Sequence, residues 1–148
     1  EDEVLAKILE AGQHAPSAMN EQHRKFVVVR DKETKRKIRE AAGAQPMVEQ
    51  AGALIVLCAT ESEFVMPCGQ YAYPIDCTLA GAYMMLEAYE LGLGTCWQGA
   101  FDPKPEKEIL GIPENVTVVT MIPLGYHDGT QPRRDRKELS EIVSYDHY

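Results

Sequence analysis

Ala15-Pro16-Ser17-Ala18-Met19-Asn20-Glu21-Gln22 is a small, polar stretch set between a helix signal and a strand signal. Before it, Val4, Leu5, Ile8 and Leu9 form an apolar stripe at helical spacing that stops at Gly12 and Pro16. After it, Phe26-Val27-Val28-Val29 is too continuous for a sheet wetted on one face, so Lys25 to Arg30 reads as a buried strand. Small residues let the backbone approach a flat ligand closely. By themselves, however, Ser17 reads as a turn cap after Pro16 and Asn20 as an Asx turn.

Further along, Asp31 is placed to cap a charged helix from Lys32 to Ala42. A short helix is expected over Pro46 to Gln50, and a second buried strand over Ala53 to Ala59. Residues 60–74 read as loop, with Pro67, Gly69 and Pro74. A long helix is then expected from about Ile75 to Leu91, uncharged from Cys77 to Leu86. A helix apolar all round must be buried all round, in the core or in a subunit interface. It falls short of the ~20 apolar residues a membrane span needs. Leu91-Gly92-Leu93-Gly94-Thr95-Cys96-Trp97-Gln98-Gly99 ends that helix and runs through glycines into a short strand at 95–98. Pro103 and Pro105 open a helix to Leu110 that Gly111 closes. Val116 to Leu124 reads as a third strand, Gly125 to Arg133 as irregular, and Lys137 to Val143 as a last helical turn. Helices alternate irregularly with strands, so an α+β or mixed-sheet sandwich is expected rather than an all-α fold.

The 148 residues suit one domain, 1–148. A net charge of -8 argues against nucleic acid as the main partner. One basic cluster, Arg30 to Arg39, reads as a solvated helix face; the other, Arg133, Arg134, Arg136 and Lys137, lies in a Gly/Pro-rich segment suited to an anion. The four cysteines have no C-x-x-C pair, the histidines lack metal spacing, and no arginine-rich or apolar leader is visible. A reducing cytoplasm fits that usage. There is no G-x-G-x-x-G, no phosphate loop and no nucleophile elbow. Cys96 reads as a packed thiol, and Trp97 by itself as core.

Taken in order, five segments resemble the nitroreductase family. They are Ala15-Pro16-Ser17 through Asn20 and Gln22 with the Phe26-led strand; Asp76 with the uncharged helix; Gly92 to Trp97; Leu110-Gly111-Ile112-Pro113 with Pro123-Leu124-Gly125-Tyr126; and Arg134 and Arg136 followed by Leu139, Ile142 and Val143. His23 and Arg24 depart from the family's Pro and Trp after the glutamine. The resemblance implies a three-layer sandwich, a mixed central sheet flanked by helices. It implies FMN at a homodimer interface, with Pro16, Ser17 and Asn20 contributed by one subunit. Gln98 and Gly99 are expected to present backbone N–H groups to the flavin N5 and O4 edge, and Gln45 to reach the pyrimidine side. The family's arginine-rich N-terminal segment lies ahead of Glu1, which leaves Arg134 and Arg136 for the phosphate. The implied activity is hydride transfer from NAD(P)H through flavin to a small electron-poor acceptor such as a nitroaromatic or quinone. A flavin carrier or sensor without turnover, and a dimerisation domain without flavin, are the readings from other classes.

Overall fold

The computed structural model describes residues 1–129 and 134–148. Four strands, β1 (Arg24–Val29), β2 (Ala53–Ala59), β3 (Gly94–Thr95) and β4 (Thr117–Gly125), form one sheet in the order β1-β2-β4-β3. The helices are α1 (Asp2–His14), α2 (Lys32–Ala42), α3 (Met47–Gln50), α4 (Ala72–Glu90), α5 (Pro103–Leu110) and α6 (Leu139–Ile142).

β2 shows why three layers form. Every one of its residues is buried, so both faces must be covered. Ile55 and Leu57 pack with Ile8 of α1 and with Ala80, Met84 and Ala88 of α4. Leu54, Val56 and Cys58 point the other way, onto Ile38 of α2 and Val48 of α3, with Ile109 and Leu110 of α5 alongside. The sandwich of the sequence reading is therefore present.

The mixed sheet is not: all pairings between the described strands are antiparallel. The cause lies between β1 and β2. A single helix in that connection would return a parallel strand. Here the segment after α2 doubles back along it, fixed by Lys35 Nζ donating to the Ala51 carbonyl and by Arg39 pairing with Glu49 at 3.3 Å. The chain re-enters the sheet at the end it left.

Local signals place the helix ends. The Asp31 carboxylate accepts from the Thr34 N–H at 2.7 Å and starts α2, and Gly43 ends it with φ 65°. Asp102 does the same for α5 through the Lys104 N–H at 3.0 Å. α4 begins earlier than expected because Pro74 falls in its first turn, where no backbone N–H needs an acceptor. The expectation that α4 is buried all round also fails within one chain. Ala72, Asp76, Cys77, Ala80, Gly81, Met84 and Ala88 are covered, but Ile75, Tyr83, Leu86 and Tyr89 are exposed. Among the described residues no helix is long and apolar enough to cross a membrane.

Candidate functional site

The sheet has two functional ends. β1 starts, β2 finishes and α4 starts at one; β1 finishes, β2 starts and β4 finishes at the other. The seven residues of β2 separate them by roughly 20 Å.

Pro16, Ser17 and Asn20 occupy the first end. The segment is bent hard: Met19, Asn20 and Gln22 have φ of 50°, 58° and 57°, in the left-handed region that non-glycine residues avoid. Such conformations cost about 1–3 kcal/mol each and persist only where surroundings enforce them. Here the enforcement is visible. The Ser17 hydroxyl oxygen accepts from the Gln22 N–H at 3.1 Å, and the Ala18 N–H donates to Asp76 Oδ1 at 3.0 Å. Arg24 donates to four carbonyls, those of Gln13, Ala15, Pro16 and Asp76. Arg24 thus anchors the segment, a role invisible in sequence, where it stands out only as a departure from the family pattern. Pro16 and Asn20 remain exposed above this scaffold.

The second end opens into a cleft of about 1100 Å³. Gly52, Gly125, His127, Trp97, Arg134 and Arg136 are among its walls. Trp97 packs closely against α4: a Cβ at Gly81 would lie 2.7 Å from Trp97 Cζ3. Arg134 and Arg136 are both exposed, and Arg136 Nη1 donates to the carbonyls of Arg134 and Asp135 at 3.2 and 3.1 Å. Both arginines line the cleft. Arg133, the remaining arginine of that cluster, lies outside the described residues. Gln45 is exposed, and its carbonyl accepts from the Val48 N–H at 3.0 Å at the start of α3, next to the cleft residue Met47.

Between the two ends, Gln98 and Gly99 behave differently from one another. The Gln98 N–H donates to the Met121 carbonyl at 3.1 Å, so it completes the sheet and is not free to meet a ligand. The expectation that Gln98 presents its backbone amide to a ligand therefore fails. Gly99 is exposed, its N–H has no acceptor among the described residues, and a Cβ there would meet nothing within 4 Å. The Gln98 side chain is 2% exposed; its Oε1 has no partner among the described residues, and its Nε2 reaches only Met47 Sδ at 3.4 Å. An unpaired buried carbonyl of this kind costs about 1–3 kcal/mol and marks a place where a donor fits.

Cys58 and Cys77 are buried thiols that pack. Burial pushes the Cys58 and Cys77 thiols up to about 11 and about 12. Among the described residues no three acidic, histidine or cysteine side chains are placed to hold a metal ion.

The sequence profile of the nitroreductase family matches residues 1–73 and 42–126. A protein of Archaeoglobus fulgidus, provisionally named NADH dehydrogenase/NAD(P)H nitroreductase, is 41% identical over 130 residues, covering 84% of this chain and 73% of the relative. FMN reductase [NAD(P)H] of Bacillus subtilis is 30% identical over 163 residues, covering 97% of this chain and 66% of the relative. Among solved structures, an FMN-dependent nitroreductase of Clostridium difficile R20291 superposes with a TM-score of 0.84 at 27% identity, over 100% of this chain and 89% of the other. A nitroreductase family protein of Clostridium difficile 630 gives a TM-score of 0.86 at 29% identity, over 100% and 88%. The chain belongs to the nitroreductase family.

Proposed function

We propose that this chain is an NAD(P)H-dependent oxidoreductase that works through FMN as a cytoplasmic homodimer of single-domain subunits. The observation that carries the reading is the cleft at the end of the sheet, whose lining includes Arg134, Arg136 and Trp97. Its volume is of the size that takes a cofactor, and its small residues Gly52 and Gly125 keep the backbone within reach of a planar ring. The unpaired Gln98 Oε1 and the Gly99 N–H, next along the chain from the cleft residue Trp97, supply one acceptor and one donor. The residues present therefore fit the group.

In this reading Arg134 and Arg136 bind the phosphate, and Gly99 directs its N–H to flavin N5. Gln98 lines the same edge through its side chain, and Gln45 reaches the pyrimidine side. Pro16, Ser17 and Asn20 lie at the opposite end of the sheet from the arginines, so a second copy supplies them. The chemistry FMN supplies when bound is hydride transfer at N5, from NAD(P)H to an electron-poor acceptor such as a nitroaromatic or a quinone. No side chain here is asked to act as nucleophile or general base; the chain binds, orients and shapes access.

The phosphate assignment has a direct test. A charge-assisted hydrogen bond is worth about 1.5–3 kcal/mol, or about ten- to a hundredfold in affinity. Arg136→Ala should weaken FMN by about that factor in a fluorescence titration and leave riboflavin, which lacks the phosphate, unchanged. Equal weakening of both would mean that Arg136 supports the fold instead. A loss of NADH oxidation with added quinone, alongside intact flavin binding in the parent protein, would favour a carrier over an enzyme.

A further inference from the structure

Thr120 is a buried hydroxyl in the middle of β4, a largely apolar strand. It is 0% exposed, on β4, with Met121 and Ile122 following it. Its Oγ1 donates to the Gln98 carbonyl at 2.8 Å; the alternative acceptor, the Met121 carbonyl, is 3.4 Å away. A hydroxyl has one proton, so the shorter contact holds it. The Gln98 N–H meanwhile donates to Met121. The backbone of Gln98 is thereby gripped on both sides, by a strand carbonyl and by a side-chain hydroxyl.

That grip has a consequence one residue on. The Gln98 carbonyl and the Gly99 N–H belong to one planar peptide unit, and the unit is trans, because the described residues contain no cis bond. In a trans peptide the two groups point in opposite directions. Drawing the carbonyl inward onto Thr120 turns the Gly99 N–H the other way, where it meets no acceptor among the described residues and the residue is exposed. Glycine itself imposes little preference on its backbone, so the direction must be enforced from outside.

We infer that Thr120 is a positioning residue, whose hydroxyl fixes the 98–99 peptide so that the Gly99 N–H is aimed at the flavin N5. The inference rests on the reading that Gly99 faces the flavin. The hydroxyl touches neither cofactor nor substrate. It acts through one peptide plane, and its contribution is pre-organisation of a donor whose direction would otherwise be free.

The test compares FMN with 5-deaza-FMN, in which N5 is replaced by carbon and accepts no hydrogen bond. Both are titrated against parent protein, Thr120→Val and Thr120→Ser. The parent should bind FMN about three- to tenfold more tightly than the deaza analogue, the range a single hydrogen bond provides. Thr120→Val should bring that ratio to within about twofold by weakening FMN alone, and Thr120→Ser should keep the parent ratio. If Thr120→Val does not fold, Thr120→Ala removes the same hydroxyl without placing a methyl against the Gln98 carbonyl and is read the same way. A parent that binds both flavins equally sinks the underlying placement of Gly99. A parent that discriminates, with Thr120→Val discriminating equally well, overturns the role of Thr120 and leaves that placement standing. Equal loss of both flavins in Thr120→Val likewise overturns it, since the hydroxyl would then support the fold alone.

Discussion

Both terminal guanidinium nitrogens of Arg24 donate to carbonyl oxygens. Four of them, from Gln13, Ala15, Pro16 and Asp76, converge on one side chain that bridges the end of α1, the strained segment and the start of α4. Hydrogen bonds from a charged donor are worth about 1.5–3 kcal/mol, and losing several at once releases the segment they hold. Arg24→Ala is expected to cost about 3 kcal/mol, seen as a lower urea midpoint, and to weaken FMN because Ser17 and Asn20 lose their scaffold. The family motif around Ser17 was legible in sequence. Its support was not, because a carbonyl acceptor leaves no mark on residue type. Thr120 was illegible for the same reason. Glu106 is a further residue that only the structure exposes. It is fully buried, and its carboxylate oxygens have no partner among the described residues. Burial pushes its carboxyl up to about 7. A folded-state value above the unfolded one means the folded chain holds its proton longer, so stability falls as pH rises from about 4.5 to about 7 and then levels off. Glu106→Gln removes that titration. Its stability relative to the parent should therefore rise by about 2–3 kcal/mol between pH 5 and pH 8, measured by denaturant unfolding at each pH.

At the scale of elements, α1 and α4 pack so closely that only glycine fits at their crossing. A Cβ at Gly12 would lie 2.1 Å from Met84 Cε and 2.8 Å from its Cγ. Met84 is itself buried in the core, so its side chain has little room to retreat. Gly12→Val should cost about 2 kcal/mol through overpacking, with a lower denaturant midpoint and an unchanged m-value. The sequence shows Gly12 only as the end of an apolar stripe, yet the helix runs on to His14 and the glycine is a packing residue. Elements whose signals are local were legible. α2 lies between its Asp31 cap and Gly43, as its charges and cap predict, and β2 occupies its continuous apolar run. Elements decided by tertiary geometry were not. The antiparallel sheet depends on how far the 44–52 segment retraces α2, which no residue pattern encodes. The early start of α4 depends on a proline tolerated in a first turn, where the same residue in isolation reads as a breaker.

The whole molecule is left with a bare stripe. Ile75, Tyr83, Leu86 and Tyr89, spaced eight, three and three residues apart along one side of α4, are 39%, 41%, 69% and 80% exposed, while the opposite side of the same helix is closed against α1 and the sheet. Contiguous exposed apolar surface marks an interaction site. The distribution of the proposed cofactor residues asks for the same thing, since Ser17 and Arg136 stand at opposite ends of one sheet and meet only across two copies. A second copy seated on α4 answers both. Obligate dimers bury roughly 2,000–5,000 Å² and tolerate charge poorly at the centre of the patch. Leu86→Glu places a carboxylate there without disturbing the subunit, because Leu86 faces water in the single chain. The expected result is a parent protein with the mass of a dimer by light scattering at micromolar concentration and a variant with the mass of one chain. The variant should keep its circular dichroism and bind FMN about tenfold or more less tightly, as Pro16, Ser17 and Asn20 depart with the partner. A variant that stays dimeric would move the interface off α4. A parent that is monomeric and still binds FMN at full affinity would mean that one chain completes its own site, and the assignment of Ser17 to a second copy would fall.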